Sequence, residues 1–555
     1  MSKQQNPHNI VILGGGTAGW MTANLMATAW QTQLNSGQLS ITLIESPAIG
    51  IIGVGEGSTP QLKTFFDTIG VAEKDWMPAC NATYKNGILF KNWSTRPGFT
   101  RYFHPFTSII DAHTAPAFVH NSHFKRQGYD IDSHVDRFFL SAALAEQQKA
   151  PIGRENFPFD ISYGYHFDAV LMGKYLGKVA SSKGVKHVVA KVEQVILSKS
   201  GDISQLLLDN GGTVSADLFV DCSGFESLLL QKTLQVPFVS FKENLFNDRA
   251  VTIATPRPPN QKLNSQTIST AMKYGWAWDI PLTNRTGNGY VYSSQFCSAE
   301  QAEQELRDKL GLTNSDIKAN HLSMKVGRVT EHWHRNCLAV GLSQGFIEPL
   351  EATALHFVQE TIEGFIAAYN ASFTIGYDNT SSQNTNANNT HFGTGLHSQG
   401  EISQGEISQQ VTPHKNQFNQ KMNNRFDGIR DYIVGHYRLS NRTDTEYWRL
   451  NSENPNISNN LKKIVQAWLH GQDLNKAFVE GKINSFYPPV SWHALLAGYG
   501  VFPETNQQLA HSSQAHKYDL NHIDQFIQRS ALNYDDHQVF LSAMQEESNA
   551  NVSNR

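Results

Sequence analysis

The stretch "NIVILGGGTAGWMTANLMATAW", residues 9–30, limits what this chain can fold into more than any other. An apolar strand runs into a glycine turn and then a helix, with the G-x-G-x-x-G spacing on Gly14, Gly16 and Gly19. Glycine lets the backbone approach a pyrophosphate, whose charge then meets free N–H groups and the positive end of the helix dipole. A second strand, "ITLIES", ends in Glu45, placed to accept hydrogen bonds from an adenosine ribose. This is a βαβ opening that holds a dinucleotide on Gly14, Gly15, Gly16, Thr17, Ala18, Gly19 and Glu45. A later strand and turn, "ADLFVDCSGFESLLL", carries Asp221 and Gly224 in the manner of a segment completing a flavin site. No second G-x-G-x-x-G is available for a nicotinamide. FAD is therefore expected, with reducing power arriving as reduced flavin made elsewhere.

Strand-like and helix-like stretches alternate to about residue 371, which predicts an α/β fold: an FAD-binding mixed-sheet domain over 1–375, with a substrate-pocket insertion near 95–150. From 376 to 410 the composition turns polar, "SQGEI" occurs twice, and a disordered surface insertion is expected. Residues 411–555 show helical periodicity and read as a largely helical substrate-side layer. A formal charge of -4 with 17% charged residues argues against nucleic acid, and 11% aromatic residues suit a pocket for a flat ligand. The four cysteines, Cys80, Cys222, Cys297 and Cys337, lie far apart without metal-ligand spacing. Neither a metal site nor a disulfide framework is indicated. The polar N-terminus and the lack of any apolar run near the ~18 residues of a membrane span lead to the expectation of a soluble, cytoplasmic protein.

"GFIEPLEATAL", residues 345–355, sets Glu348 and Glu351 in an otherwise apolar stretch. The periodic run Leu355, Phe357, Val358, Ile362, Phe365 and Ile366 predicts a helix from near Thr353, and acids at a helix N-terminus are ordinary. Trp276 and Trp278 alternate onto one face of a strand, as core residues do. Lys85 and His104, judged without context, read as a surface lysine and a core histidine.

Context changes those readings. "TYKNGILFKNW" at 83–93, "GWAWDIP" at 275–281 and "FIEPLEATAL", with "GVGEGSTP", "RYFHPF", "YHFDA", "GYVYSS", "KVGRVTEHWHRNCLAVGL" and "LSNRTDTEYWR", make the chain resemble the flavin-dependent halogenases of the tryptophan halogenase family. The resemblance covers most of the chain except 376–410 and the tail. It implies that FADH2 from a separate flavin reductase, O2 and a halide ion, chloride or bromide, yield hypohalous acid. A tunnel carries this acid to a small aromatic substrate. Residue by residue it implies Lys85 and Glu351 as catalytic groups, Glu348 as a structural partner of the loop, and Lys91 as a lysine of little consequence. It further implies halide on the amides of Thr353 and Ala354, cofactor contacts at Val192, Asp221, Leu342 and Leu355, and substrate contacts at His104, Phe106 and Trp492. Trp276 and Trp278 would shield the flavin. Ala352 and Ala354 stand where the family carries serine and glycine.

The lid that grips the amino-acid group of tryptophan in the best-known members is shorter here, "KAFVEGKINSFYPPVSWHALLAGYG", and has no Tyr-Tyr pair. An indole or another electron-rich aromatic is therefore expected ahead of free tryptophan. A homodimer is among the assemblies this reading allows. The rivals are an FAD-dependent aromatic hydroxylase and a flavin-binding scaffold without activity.

Overall fold

The computed structural model describes residues 7–47, 55–258, 261–374, 404–503, 509 and 512–553. The insertion expected over 376–410 lies outside these residues as far as 403, and Gln404, inside its far end, already begins a long helix, Gln404–Leu439.

The opening strand His8–Leu13 lies between Leu39–Glu45 and Leu218–Asp221, parallel to both. Lys186–Val189 and Cys337–Ala339 extend this sheet in the same sense, and Trp333–His334 closes one edge antiparallel. Ile10, Val11 and Ile12 are all buried because both faces are covered, and this is why the strand reads as an unbroken apolar run. The helix Thr17–Ala29 packs against the helix Ala169–Ser182, with Asn24 Nδ2 donating to the Leu176 carbonyl at 2.9 Å. Gly14 has φ +120°, and a Cβ on Gly19 would lie 1.9 Å from the Gly14 carbonyl oxygen. The turn closes only with hydrogen at both positions.

A second sheet of seven strands runs in the order Asn320–Ser323, Arg249–Pro256, Arg285–Tyr292, Gly275–Pro281, Thr267–Ala271, Gly87–Lys91, Arg101–Pro105. It is antiparallel except where Thr267–Ala271 meets Gly87–Lys91. A small sheet, Glu56–Gly57, Gly164–Phe167 and Thr83–Lys85, stands beside it and carries Lys85 at the end of its last strand. After residue 404 the described residues are mostly helical, as expected, and include one short strand, Tyr534–Asp536, paired to Lys149–Gly153. Gln404–Leu439 packs on Ala354–Thr374, and Pro489–Gly498 packs on Arg101–Pro105. One apolar cluster runs continuously from Ile10 and Trp20 through Trp93 and Trp276 to Tyr432 and Trp492. The helical layer and both large sheets therefore share a core. No helix among the described residues is long and apolar enough to cross a membrane.

Gly19→Ala should destabilise the protein by about 1–3 kcal/mol, since the added methyl overlaps backbone that cannot move aside. Denaturant unfolding of the apoprotein reads the loss, and FAD titration should show affinity falling with it.

Candidate active site

Both glutamates of "FIEPLEATAL" are buried, Glu348 at 2% and Glu351 at 4% exposure. The helix does begin there, at Ala354, but neither acid caps it. The Glu351 Oε1 instead accepts from His436 Nε2 at 2.8 Å, while Glu348 Oε2 accepts from Trp276 Nε1 at 2.6 Å, Asn247 Nδ2 at 2.9 Å and the Tyr437 hydroxyl at 2.8 Å. Consecutive residues of the helix Gln404–Leu439 thus hold carboxylates three positions apart. Burial pushes both carboxyls up; three neutral donors oppose this at Glu348, and the charges of His104 and Lys85 oppose it at Glu351. Glu348 is saturated on one oxygen by structural donors, whereas Glu351 faces two titratable bases, the His104 imidazole, which burial holds toward its neutral form, and the Lys85 amine.

Lys85 is completely buried, and among the described residues its Nζ has no hydrogen-bond partner. It sits 5.5 Å from the centre of the Phe106 ring, close to Gly57, and interacts with the Glu351 carboxylate. Burial pulls the ammonium down to about 7, against the attraction of Glu351. His104 Nδ1 lies 4.0 Å from Glu351 Oε1 and 3.3 Å from the Tyr102 hydroxyl. The structure therefore brings the buried Lys85, Glu351 and His104 together with the half-buried Phe106 in one group. Their strands and loops are far apart in the chain.

An aromatic shell encloses this group. His436 Nδ1 bonds the Tyr499 hydroxyl at 2.7 Å, and the His436 ring stands 4.8 Å from that of Phe90. Tyr432 stacks on Tyr487 at 3.7 Å, and Trp492 meets Tyr432 edge-on at 4.7 Å. Trp492 itself is fully buried, with Nε1 donating to Ser485 Oγ at 3.1 Å, so it supports the shell from behind. Burial pushes the Tyr432 and Tyr487 hydroxyls well up, and the Glu351 charge adds to this at both. Sequence reasoning missed His436, Tyr432, Tyr487, Tyr499 and Tyr102. The adjacent pair His436-Tyr437 inside a helical run was the available signal, but nothing local ties it to residue 351.

The halide candidates occupy the start of Ala354–Thr374, where first-turn amides have no intrahelical acceptor. Thr353 is buried and its hydroxyl receives a contact from Tyr487 at 3.4 Å; Ala354 is exposed. Ala352, just before, holds φ +55°, a left-handed conformation that costs a non-glycine residue roughly 1 kcal/mol. Trp276 and Trp278 share a strand face with ring centres 5.9 Å apart; the Trp278 Nε1 is buried without a partner among the described residues.

The glycine turn suits FAD. No side chain caps the helix at Gly16, the space before Gly16 is open, and the buried Thr17 hydroxyl lacks a partner among the described residues. The Glu45 side chain lies against Gly15, and its carboxylate is 2.9 Å from His187 Nε2. Asp221 is fully buried and accepts from the backbone amides of Ser223, Leu229 and Leu230, so it shapes the turn rather than facing outward. Val192 starts an edge hairpin strand, Leu342 lies in the turn Gly341–Ser343, and Leu355 is in the first turn of Ala354–Thr374.

The family model described as tryptophan halogenase matches residues 9–390 and 405–515. A tryptophan 6-halogenase, SttH from Streptomyces toxytricini, is 34% identical over 526 residues, 90% of each chain. A solved tryptophan halogenase from Shewanella frigidimarina superposes with a TM-score of 0.78 at 28% identity, covering 98% of this chain and 99% of that one. BrvH, a flavin-dependent halogenase from Brevundimonas sp. BAL3, superposes at 0.75 with 28% identity over 97% and 99%.

The buried amine has a measurable signature. Below pH 7 the native and unfolded states both hold the Lys85 proton; above its ordinary 10.5 neither does. Between these values only the unfolded state binds it, so stability rises with pH, by at most about 1.4 kcal/mol per unit. Lys85→Met should remove that rise, which denaturant titrations of both proteins at about pH 7.5 and about pH 9 would expose.

Proposed function

Because the chain belongs to the tryptophan halogenase family of flavin-dependent enzymes, we propose that it halogenates an electron-rich, indole-type ring with chloride or bromide, using Lys85 and Glu351. The observation that carries this reading is the Lys85 amine: buried, without a protein partner among the described residues, and coupled to a buried acid. A buried polar group left unpaired is costly, and a ligand that accepts its hydrogen bond removes that cost.

Bound FADH2, supplied by a separate flavin reductase, provides with O2 the oxidising equivalent that converts halide to hypohalous acid. The glycine turn with Thr17 and Ala18 holds the pyrophosphate, Glu45 the ribose, and Val192, Asp221, Leu342 and Leu355 shape the rest of that site. The amides of Thr353 and Ala354 hold the halide. Trp276 and Trp278 keep organic substrate away from the flavin. Lys85, with both protonation states populated near neutrality, donates to hypohalous acid or carries the halogen as an N-haloamine. His104 and Phe106 flank the substrate ring, Trp492 backs the pocket wall, and Glu351 takes the ring proton. The shell is built from packed aromatic rings, Tyr432 on Tyr487 and Trp492, which favours a neutral indole over a zwitterion.

Incubation with FAD, a flavin reductase, bromide or chloride and a panel of indoles, read by mass spectrometry, tests this. Halide-dependent product is expected, and Lys85→Met should lower its rate at least about 100-fold while flavin oxidation continues. Lys91→Met should act mildly. A hydroxylated product formed without halide would establish the hydroxylase instead, and a kcat/KM far higher for tryptophan than for indole would refute the preference for indole over free tryptophan.

A further inference from the structure

The family match ends at residue 515, yet the chain beyond it returns, through His537, to the strand that carries Lys85. The strand Tyr534–Asp536 pairs with Lys149–Gly153, and Lys149 Nζ donates to the carbonyls of Ala531 and Tyr534 at 2.7 Å each. Asp536 caps the last helix, accepting from the amides of Gln538 and Val539, and the His537 amide donates to the Gln148 carbonyl at 2.9 Å. These bonds fix a fully buried imidazole, that of His537, against the small sheet.

Thr83–Lys85 is an edge strand: its one sheet neighbour is Gly164–Phe167. An edge strand leaves backbone groups unpaired on its free side. Here the Tyr84 amide donates to His537 Nε2 at 3.1 Å, across 453 positions of sequence. A backbone N–H can only donate, so Nε2 must be the unprotonated nitrogen and Nδ1 the protonated one. Nδ1 lies 3.4 Å from the Leu263 carbonyl, the acceptor this tautomer requires. Burial holds the imidazole neutral, down at about 4, so the arrangement persists across the physiological range.

The residue on the other side of Lys85 is tied to the same segment. The Asn86 amide donates to the Ser265 carbonyl at 2.7 Å, and its Nδ2 donates to Ser265 Oγ and the Lys149 carbonyl at 3.0 Å each. Lys85 is thus bracketed by two backbone anchors, one direct and one relayed through the tail. Its own Nζ has no protein partner among the described residues to hold it in place. The register of the backbone is what aims it.

We propose that His537 is a positioning residue for Lys85: by accepting the Tyr84 amide and donating to Leu263, it holds the edge strand so that the amine points toward Glu351. The assignment rests on the role proposed above for Lys85. His537→Gln keeps an acceptor and a donor in one side chain, whereas His537→Phe keeps the bulk and loses both. The test compares these variants with the native protein in the full chain, with FAD, flavin reductase, bromide and indole. Product per reduced flavin consumed should fall about tenfold or more in His537→Phe and return to within about twofold in His537→Gln, since small misplacements of a reacting group cost this much or more. Flavin consumption itself should be unchanged.

Amide hydrogen exchange over residues 82–87 provides a readout without turnover. It should accelerate at Tyr84 in His537→Phe and stay protected in His537→Gln. Full coupling in His537→Phe, or an equal loss in both variants, would overturn the assignment. If the native protein forms no halogenated indole, the proposed function fails, and the exchange comparison then decides the role of His537: equal protection at Tyr84 in both variants would reject it.

Discussion

Two carboxylates buried three residues apart impose the central constraint on this molecule. Withdrawing a carboxylate from water costs several kcal/mol unless donors or cations replace the lost hydration. Glu348 and Glu351 receive theirs from one helix, through Tyr437 and His436, joined at Glu348 by Trp276 and Asn247. That requirement ties the seven-stranded sheet, the helix Ala354–Thr374 and the helix Gln404–Leu439 to a common point. Moving any of them would leave a buried charge or a buried donor without its partner.

The same bonds separate the two acids chemically. Glu348 has one oxygen saturated by three neutral donors and acts as a joint between sheet and helix. Among the described residues Glu351 has a single hydrogen-bond donor, with an imidazole at 4.0 Å and the Lys85 amine within its field, so its proton affinity depends on groups that can change state. His436 is fixed in turn by Tyr499, and the rings of Phe90 and Tyr432, the latter stacked on Tyr487, pack around it in the buried interior. Low local polarity strengthens each of these interactions and raises the cost of any gap among them. The lysine is the exception, since its head group has no protein partner among the described residues and its direction comes from the backbone on either side.

Much of the dinucleotide region was legible because its chemistry is local. Gly14 and Gly19 are needed within one turn, and Ile10 to Leu13 announce a strand covered on both faces. The helix starting at Ala354 was legible from periodicity, as was the helical character after residue 411. The catalytic candidates Lys85 and Glu351 were legible through motif resemblance rather than through physics, because a lone lysine or glutamate has no local signature of burial. Trp492 illustrates the limit: its presence in the lid was plain, but its orientation, packed behind Tyr432 with Nε1 on Ser485, was not. The ordinary reading of Glu351 as a helix-terminal acid is incomplete, because the carboxylate, three residues before the helix start at Ala354, is bonded to His436 from a distant helix.

By itself the amino-acid sequence determined the βαβ start, the alternation of strand and helix, and the residue types available for chemistry, because turn closure and apolar periodicity act between near neighbours. The tertiary structure alone decided which groups meet: His436 with Glu351, Tyr432 with Tyr487, and His537 with the amide beside Lys85. Those contacts join positions from 55 to 453 apart. They arise because buried polar groups must find partners wherever the packed core delivers them, and no local pattern encodes where that is.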